Sequence, residues 1–271
     1  MMRGLVFVII LAVAVALSGC GKTTSDHNSH NSHEVERADS ATDNTEAVWT
    51  LSADHPSPNA DVTIKVKIQD DSGKPVEQFD INHEKKMHLI IVSKDLSYFD
   101  HIHPEYQDNG EFTITTQLPN AGEFKMFADY IPSGGKATTK SNVVTVQGTA
   151  PAAETLVPDL EKEQMIDGKK VSLDFDSLQA NKEVNMTFHM TDAQTNKPVT
   201  DLQPYLGAVG HVVILSEDAE NYLHVHPTEE KAKGPDAKFM TSFPSSGNYK
   251  IWGQFKQNGK TFIVPFVVNI P

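Results

Sequence analysis

Two stretches of the sequence place imidazoles at a spacing that suits a metal ion. His101-Ile-His103-Pro104 and His224-Val-His226-Pro227 share one motif, and a third histidine stands thirteen residues before each, at His88 and His211. On an extended strand residues i and i+2 share a face, so each pair sets two rings side by side. In the second motif Tyr222, His224 and His226 fall on one side and Leu223 and Val225 on the other, and the apolar pair is expected to face a core. Neutral imidazole suits copper, zinc, nickel and iron. Three nitrogens fit Cu(II) or Zn(II) with one position left open. His88, His101 and His103, and His211, His224 and His226, are therefore candidate ligands of two related but unequal copper or zinc sites. Met87 and Asp100 offer an auxiliary thioether and carboxylate to the first set, where the second has Gly210 and Leu223. Glu105 and Glu229 are further oxygen donors without an assigned place. The competing reading makes the same histidines structural, bonded to a backbone carbonyl or a neighbouring acid.

The remaining histidines divide into two groups. His27, His30 and His33 lie in a polar stretch and form a loose, low-specificity metal collector, or simply a linker that uses histidine. His55, His83 and His189 have no counterpart across the motifs and read as solitary surface residues. Strand alternation separates His189 from Met186 and Met190, which suits core packing better than a copper box. Enzyme signatures are absent: there is no G-x-S-x-G elbow and no phosphate-binding glycine loop, and His83-Glu84 runs into Lys85-Lys86-Met87 rather than a zinc-protease motif. A metalloenzyme of unknown substrate is the weakest of three functional readings, behind metal binding and a non-catalytic envelope interaction module.

The elements that must hold these rings are strands. Val62-Thr-Ile-Lys-Val-Lys-Ile68 alternates with period two, while His88-Leu-Ile-Ile-Val92 is apolar on both faces and reads as a central strand. Turn clusters at Asp70–Pro75, Asn109-Gly110 and Asn120–Gly122 separate short strands, and no segment shows a long helical period. The second half repeats the first at an offset of 123 residues through the histidine motifs, and of 125 where Gly122-Glu-Phe-Lys-Met-Phe127 meets Gly247-Asn-Tyr-Lys-Ile-Trp252. A small insertion near Glu230–Pro235 accounts for the change. The aromatics Phe124, Phe127 and Tyr130, with Tyr249, Trp252 and Phe255, are expected to fill sandwich cores, with a ligand-stacking surface as the alternative. The fold expected is all-β, two tandem immunoglobulin-like or cupredoxin-like β-sandwich domains at residues 49–148 and 161–271, joined by a linker at 149–160.

The N-terminus points to export. Arg3, the apolar run Leu5–Leu17 and Leu17-Ser-Gly-Cys20 read as a signal peptide over residues 1–19, and the last four residues resemble the bacterial lipobox in which the cysteine is acylated. The apolar run is too short for a permanent spanning helix. Cys20 is the only cysteine, so lipidation leaves neither a disulfide nor a thiolate site. Residues 20–48 are expected to be a disordered, histidine-containing tether, and the protein a lipoprotein on the extracytoplasmic face of the cell membrane. A formal charge of −13 repels nucleic acid and anionic headgroups, which leaves the lipid anchor, a metal ion and an envelope protein as expected partners. The motif His-Leu-Ile-Ile-Val-Ser-x-Asp with His-x-His-Pro, and Tyr205-Leu-Gly-Ala-Val-Gly-His211 with His-Val-His-Pro, resembles a group of bacterial secreted or lipid-anchored proteins that often accompany heavy-metal or copper-handling components. The resemblance covers most of residues 60 to 270. It implies copper handling at the same histidines.

Overall fold

The structure is a computed structural model that describes residues 44–271. The expected signal peptide, Cys20, and the tether histidines His27, His30 and His33 lie outside the described residues. Among the described residues no helix is long and apolar enough to cross a membrane.

The first repeat runs through β1 (Thr45–Leu51), β2 (Asp61–Asp70), β3 (Met87–Ser93), β4 (Phe99–Ile102), β5 (Glu105–Tyr106), β6 (Glu111–Gln117), β7 (Gly122–Tyr130) and β8 (Thr138–Val146). These form two antiparallel sheets, in the orders β1-β2-β6-β5 and β4-β3-β7-β8. That is the A-B-E-D and C′-C-F-G arrangement of an immunoglobulin-like sandwich. Val62, Ile64, Val66 and Ile68, the inward half of the alternating β2, meet Leu89, Ile91, Phe124 and Met126 from the other sheet in one core. Each such side chain contributes about 1.5–3 kcal/mol when fully buried. β1 starts at Thr45, ahead of the expected boundary at residue 49, because Thr-Glu-Ala-Val-Trp-Thr-Leu already alternates and lays Ala47, Trp49 and Leu51 on that core.

The second repeat has β9 (Glu163–Ile166), β10 (Lys169–Phe175), β11 (Glu183–Asp192), β12 (Gly210–Ser216), β13 (Tyr222–Val225), β14 (Asp236–Ser242), β15 (Gly247–Gln257) and β16 (Lys260–Ile270). Its sheets are β14-β11-β10-β9 and β13-β12-β15-β16. The edge strand equivalent to β5 shrinks to a single bridge, Pro227 with Phe239, beside the insertion, and β9 is added at the opposite edge.

The sheets β4-β3-β7-β8 and β13-β12-β15-β16 are buried on both faces. Their inner faces close the two sandwich cores. Their outer faces meet each other in a third apolar cluster of Ile90, Val92, Leu96, Phe127, Val213, Leu215, Ala219, Tyr222 and Trp252. This is why β3 and β12 read as continuous apolar runs. The segment expected as a linker borders this seam: Leu156 joins the cluster, and Glu154 N–H donates to Asp95 Oδ2 at 3.0 Å.

Candidate metal centre

The outer face of each sheet is set by register. Ile90 lies opposite His101 on β4 and Phe127 on β7, Val92 opposite Phe99 and Lys125, and His88 opposite Asp129. Directly opposed residues share a face. The first repeat therefore presents His88, Ile90, Val92, Phe99, His101, His103, Lys125, Phe127 and Asp129 toward the second. The second presents His211, Val213, Leu215, Tyr222, His224, His226, Lys250, Trp252 and Gln254 in the same register.

These faces dock as a nearly isologous pair within one chain, the main interactions made twice with the roles exchanged. Lys125 Nζ donates to Ala219 O and Lys250 Nζ to Leu96 O, both at 2.8 Å. Phe99 stacks on Trp252 with centroids 4.7 Å apart, and Phe127 on Tyr222 at 5.0 Å. His224 Nδ1 bonds Asp129 Oδ2 at 2.7 Å, and His101 Nδ1 meets the Gln254 amide at 3.0 Å from Nε2. One end of the seam is thus apolar and the other is built of histidine.

The two predicted histidine sets are not remote from each other. They converge on one buried cluster across the seam: the ring of His88 is 5.1 Å from those of His101, His103 and His224, and 6.1 Å from His211. Sequence spacing relates residues within a repeat, so it could not show that the two faces meet. A seventh histidine, His83, joins them, 4.7 Å from the ring of His211 and 4.0 Å from that of His226. It was expected to be a solitary surface residue because its repeat counterpart is Leu206. The missed signal was its place on the short turn leading into β3.

The auxiliary ligands expected beside His88 and His101 point elsewhere. Met87 is fully buried in the first sandwich core with Leu89 and Ile91, on the face of β3 opposite to His88. Asp100 likewise turns away from His101, toward Tyr98, whose hydroxyl donates to it at 3.4 Å. Gly210, the counterpart of Met87, leaves room for an aromatic ring: a Cβ there would lie 2.5 Å from Phe255 Cδ1 and 2.6 Å from Gln254 O. His189 is half-buried on the outer face of its strand, bonded to Asp236 at 2.5 Å, while Met186 and Met190 are core residues.

Hydrogen bonds orient the rings. His88 Nε2–H donates to Asn82 O at 3.0 Å, leaving Nδ1 to accept from His101 Nε2 at 2.9 Å. His101 Nδ1 then accepts from Gln254. In the other arm Asp129 fixes the proton of His224 on Nδ1, so His224 Nε2 faces His211 Nδ1 at 3.3 Å with its lone pair. A carboxylate behind an imidazole is the usual support for a metal-binding histidine. Buried nitrogens are left over: His103 Nε2 and His211 Nε2 have no hydrogen-bond partner, nor has Asp129 Oδ1. Such atoms are costly to bury unless something satisfies them.

Burial keeps the rings neutral. Burial pushes His101, His211 and His224 well below the ordinary imidazole range, and the neighbouring rings add to the effect. His103 is pushed down to about 3 by the same cause, and His88 is lowered against the pull of Asp129. The rings are therefore neutral, with lone pairs available, at neutral pH. Burial raises the Asp129 carboxyl to about 6, so near pH 7 it is still mostly ionised inside the cluster.

The spacing also suits coordination. Imidazoles bound tetrahedrally at about 2.0–2.1 Å place their ring centroids about 5.2 Å apart. His88, His101 and His103 stand at 5.1, 5.1 and 4.7 Å, and their ligand atoms lie within 4.8 Å of one another.

Fold and site together define a tandem immunoglobulin-like β-sandwich protein whose repeats share one buried histidine cluster. The chain belongs to the family described as Domain of unknown function (DUF8832), which matches it twice, at residues 40–148 and 163–271. No curated protein matches the sequence. Among solved structures it is similar to FdeC, an Escherichia coli adhesin, at 14% identity, covering 88% of this chain and 66% of that one with a TM-score of 0.29. A Salmonella alpha-2-macroglobulin mutant matches at 12% identity over 86% of this chain and 15% of that one, TM-score 0.31. A two-domain fibronectin type III segment of chicken tenascin matches at 12% identity over 84% and 99%, TM-score 0.25.

Proposed function

We propose that this protein binds copper or zinc at the histidine cluster between its repeats, and that it buffers or delivers the ion rather than catalysing a reaction. It does so as a lipoprotein held at the extracytoplasmic face of the membrane through Cys20, a location supported by the Leu-Ser-Gly-Cys motif. The carrying observation is the buried convergence of His88, His101, His103, His211, His224 and His226, with unpartnered nitrogens on His103 and His211. The test is calorimetric titration of Cu(II) and Zn(II) into tag-free, metal-stripped protein whose His27, His30 and His33 are replaced by Ala. Saturable binding whose stoichiometry or affinity falls in His101→Ala/His103→Ala supports the reading, and unchanged stoichiometry and affinity in that variant refute it.

A second reading rests on the reciprocal bonds of His101 to Gln254 and His224 to Asp129, which tie the repeats together. Here the histidines serve docking alone, within an envelope interaction module. It predicts that metal neither binds nor raises the unfolding temperature of the wild-type protein.

A further inference from the structure

We infer that the cluster holds two ions in unequal ways: one exchangeable, on His88, His101 and His103, and one retained, on His211, His224 and His226 with His83 lent across the seam as a fourth ligand. This deepens the metal-binding reading and rests on it.

The first ground is number. Seven imidazoles face the cluster, and a tetrahedral ion takes four. The second is spacing. The first-repeat rings already sit near the separations of a three-histidine set. The second-repeat rings are 4.8, 5.6 and 6.2 Å apart, and His83 stands close to the two that are furthest from each other, His211 and His226. Drawing His211 and His226 onto one ion needs a contraction of about 1 Å. The buried Nε2 of His211, which has no hydrogen-bond partner, lies on a ring in contact with His83.

The third ground is the backbone. Asn82–Lys85 and Tyr205–Ala208 are equivalent two-residue turns, each closed by a pair of hydrogen bonds. Both central positions have positive φ, at 51° and 81° for Leu206 and Gly207 and at 44° and 67° for His83 and Glu84. Asparagine and glycine suit such a turn. Two consecutive side-chain-bearing residues there hold strained backbone. A strained position occupied by histidine, with its ring against two further histidines, fits a site that needs the imidazole.

Coordination number then separates the two ions. Three protein ligands leave a position open for exchange, whereas four histidines close the shell as in structural zinc sites. Asp129 belongs to the retained ion, since it orients His224. The Gln254 amide, which reaches His101 Nδ1 with either its nitrogen or its oxygen, serves the exchangeable one.

The experiment uses the full tag-free chain with His27, His30 and His33 replaced by Ala, loaded with Zn(II) alone and challenged with a chromogenic chelator. Wild-type sites should release two equivalents, one quickly and one slowly. His83→Asn, which suits the turn and removes the ring, should keep both equivalents, speed the slow phase by about 10–100-fold, and raise metal-free stability. His103→Ala should abolish the fast phase and leave the slow one. His83→Gly is the second variant should Asn itself ligate. A single equivalent in the wild type, or a slow phase untouched in both His83 variants, overturns this inference while leaving the proposed function in place. A chain that takes up no zinc or copper overturns both.

Discussion

The two repeats bring the same three histidines to the same seam but support them differently. In the second arm, His224 is backed by the buried carboxylate of Asp129, which lies in the first repeat. In the first arm, His101 is backed by the neutral amide of Gln254, which lies in the second. A carboxylate locks one tautomer and adds negative charge, whereas an amide can donate or accept and so serves either tautomer. The strand that carries the leading histidine also differs. Met87 fills the first core beside Tyr130, while Gly210 yields the same space to the ring of Phe255. Duplication preserved the outer face, which makes the cluster, and let each core solve its packing separately.

The largest effects come from forcing one repeat to resemble the other. Met87→Ala, a step toward Gly210, should cost about 2–5 kcal/mol in chemical denaturation, because Tyr130 is already placed and leaves a cavity. Gly210→Ala should cost about 1–3 kcal/mol or more, since its Cβ meets both a ring and a backbone oxygen. Asp129→Asn makes the second arm resemble the first. It should lower metal affinity by about 10–100-fold in competition with a chelator, while Gln254→Ala should cost less than about tenfold. An Asp129→Asn protein with unchanged affinity would remove the carboxylate from the account.

Acid should act mainly through the neutral rings. A histidine held near 3 in the folded state and near 6.5 when unfolded contributes stability that is full above pH 6.5 and lost as pH falls toward 3. His88, His101, His211 and His224 have the same sign. Asp129 opposes them: with a folded value of about 6 against 3.8, its contribution is full below 3.8 and lost as pH rises through 6. The histidines outnumber it, so the melting temperature of metal-free protein should fall steadily below about pH 6.5. A flat profile from pH 7 to 4 would contradict their burial. At the apolar end Lys125→Met removes a bond to Ala219 O and one to Glu220, and Lys250→Met removes one bond to Leu96 O, worth about 1.5–3 kcal/mol for a charged donor. The Lys125 substitution should cost the more of the two, because it also breaks the 2.9 Å ion pair with Glu220, whereas removing Lys250 relieves the burial that lowers its amine.

Much of this arrangement was legible in the sequence. The alternation of β2, the repeat offsets and the shared face of His224 and His226 all follow from a two-residue period, which is a local property. Nearness in sequence suggests Asp100 and Met87 as ligands, but the same period sends i and i+1 to opposite faces and so turns both away from the neighbouring histidines. Convergence of the two sets was not legible, since nothing local says what covers the second face of an apolar strand. The apolar run at His88–Val92 did carry half of the message: a sheet buried on both sides needs another layer, and a repeated chain has its own copy to supply it. His83 was hidden for a different reason. It acts in the other repeat's half of the cluster, so comparison of equivalent positions could only mark it as unmatched.

The proposed metal site is the folded cluster rather than His27, His30 and His33. The most direct measurement is the metal-dependent rise in unfolding temperature of tag-free protein carrying Ala at His27, His30 and His33. Binding to the native state alone should raise it, by about 2.7 kcal/mol of stability at a free ion concentration 100 times the dissociation constant. The same ion should leave His88→Ala/His211→Ala unshifted. Equal shifts in the two proteins, or none in either, would contradict the account.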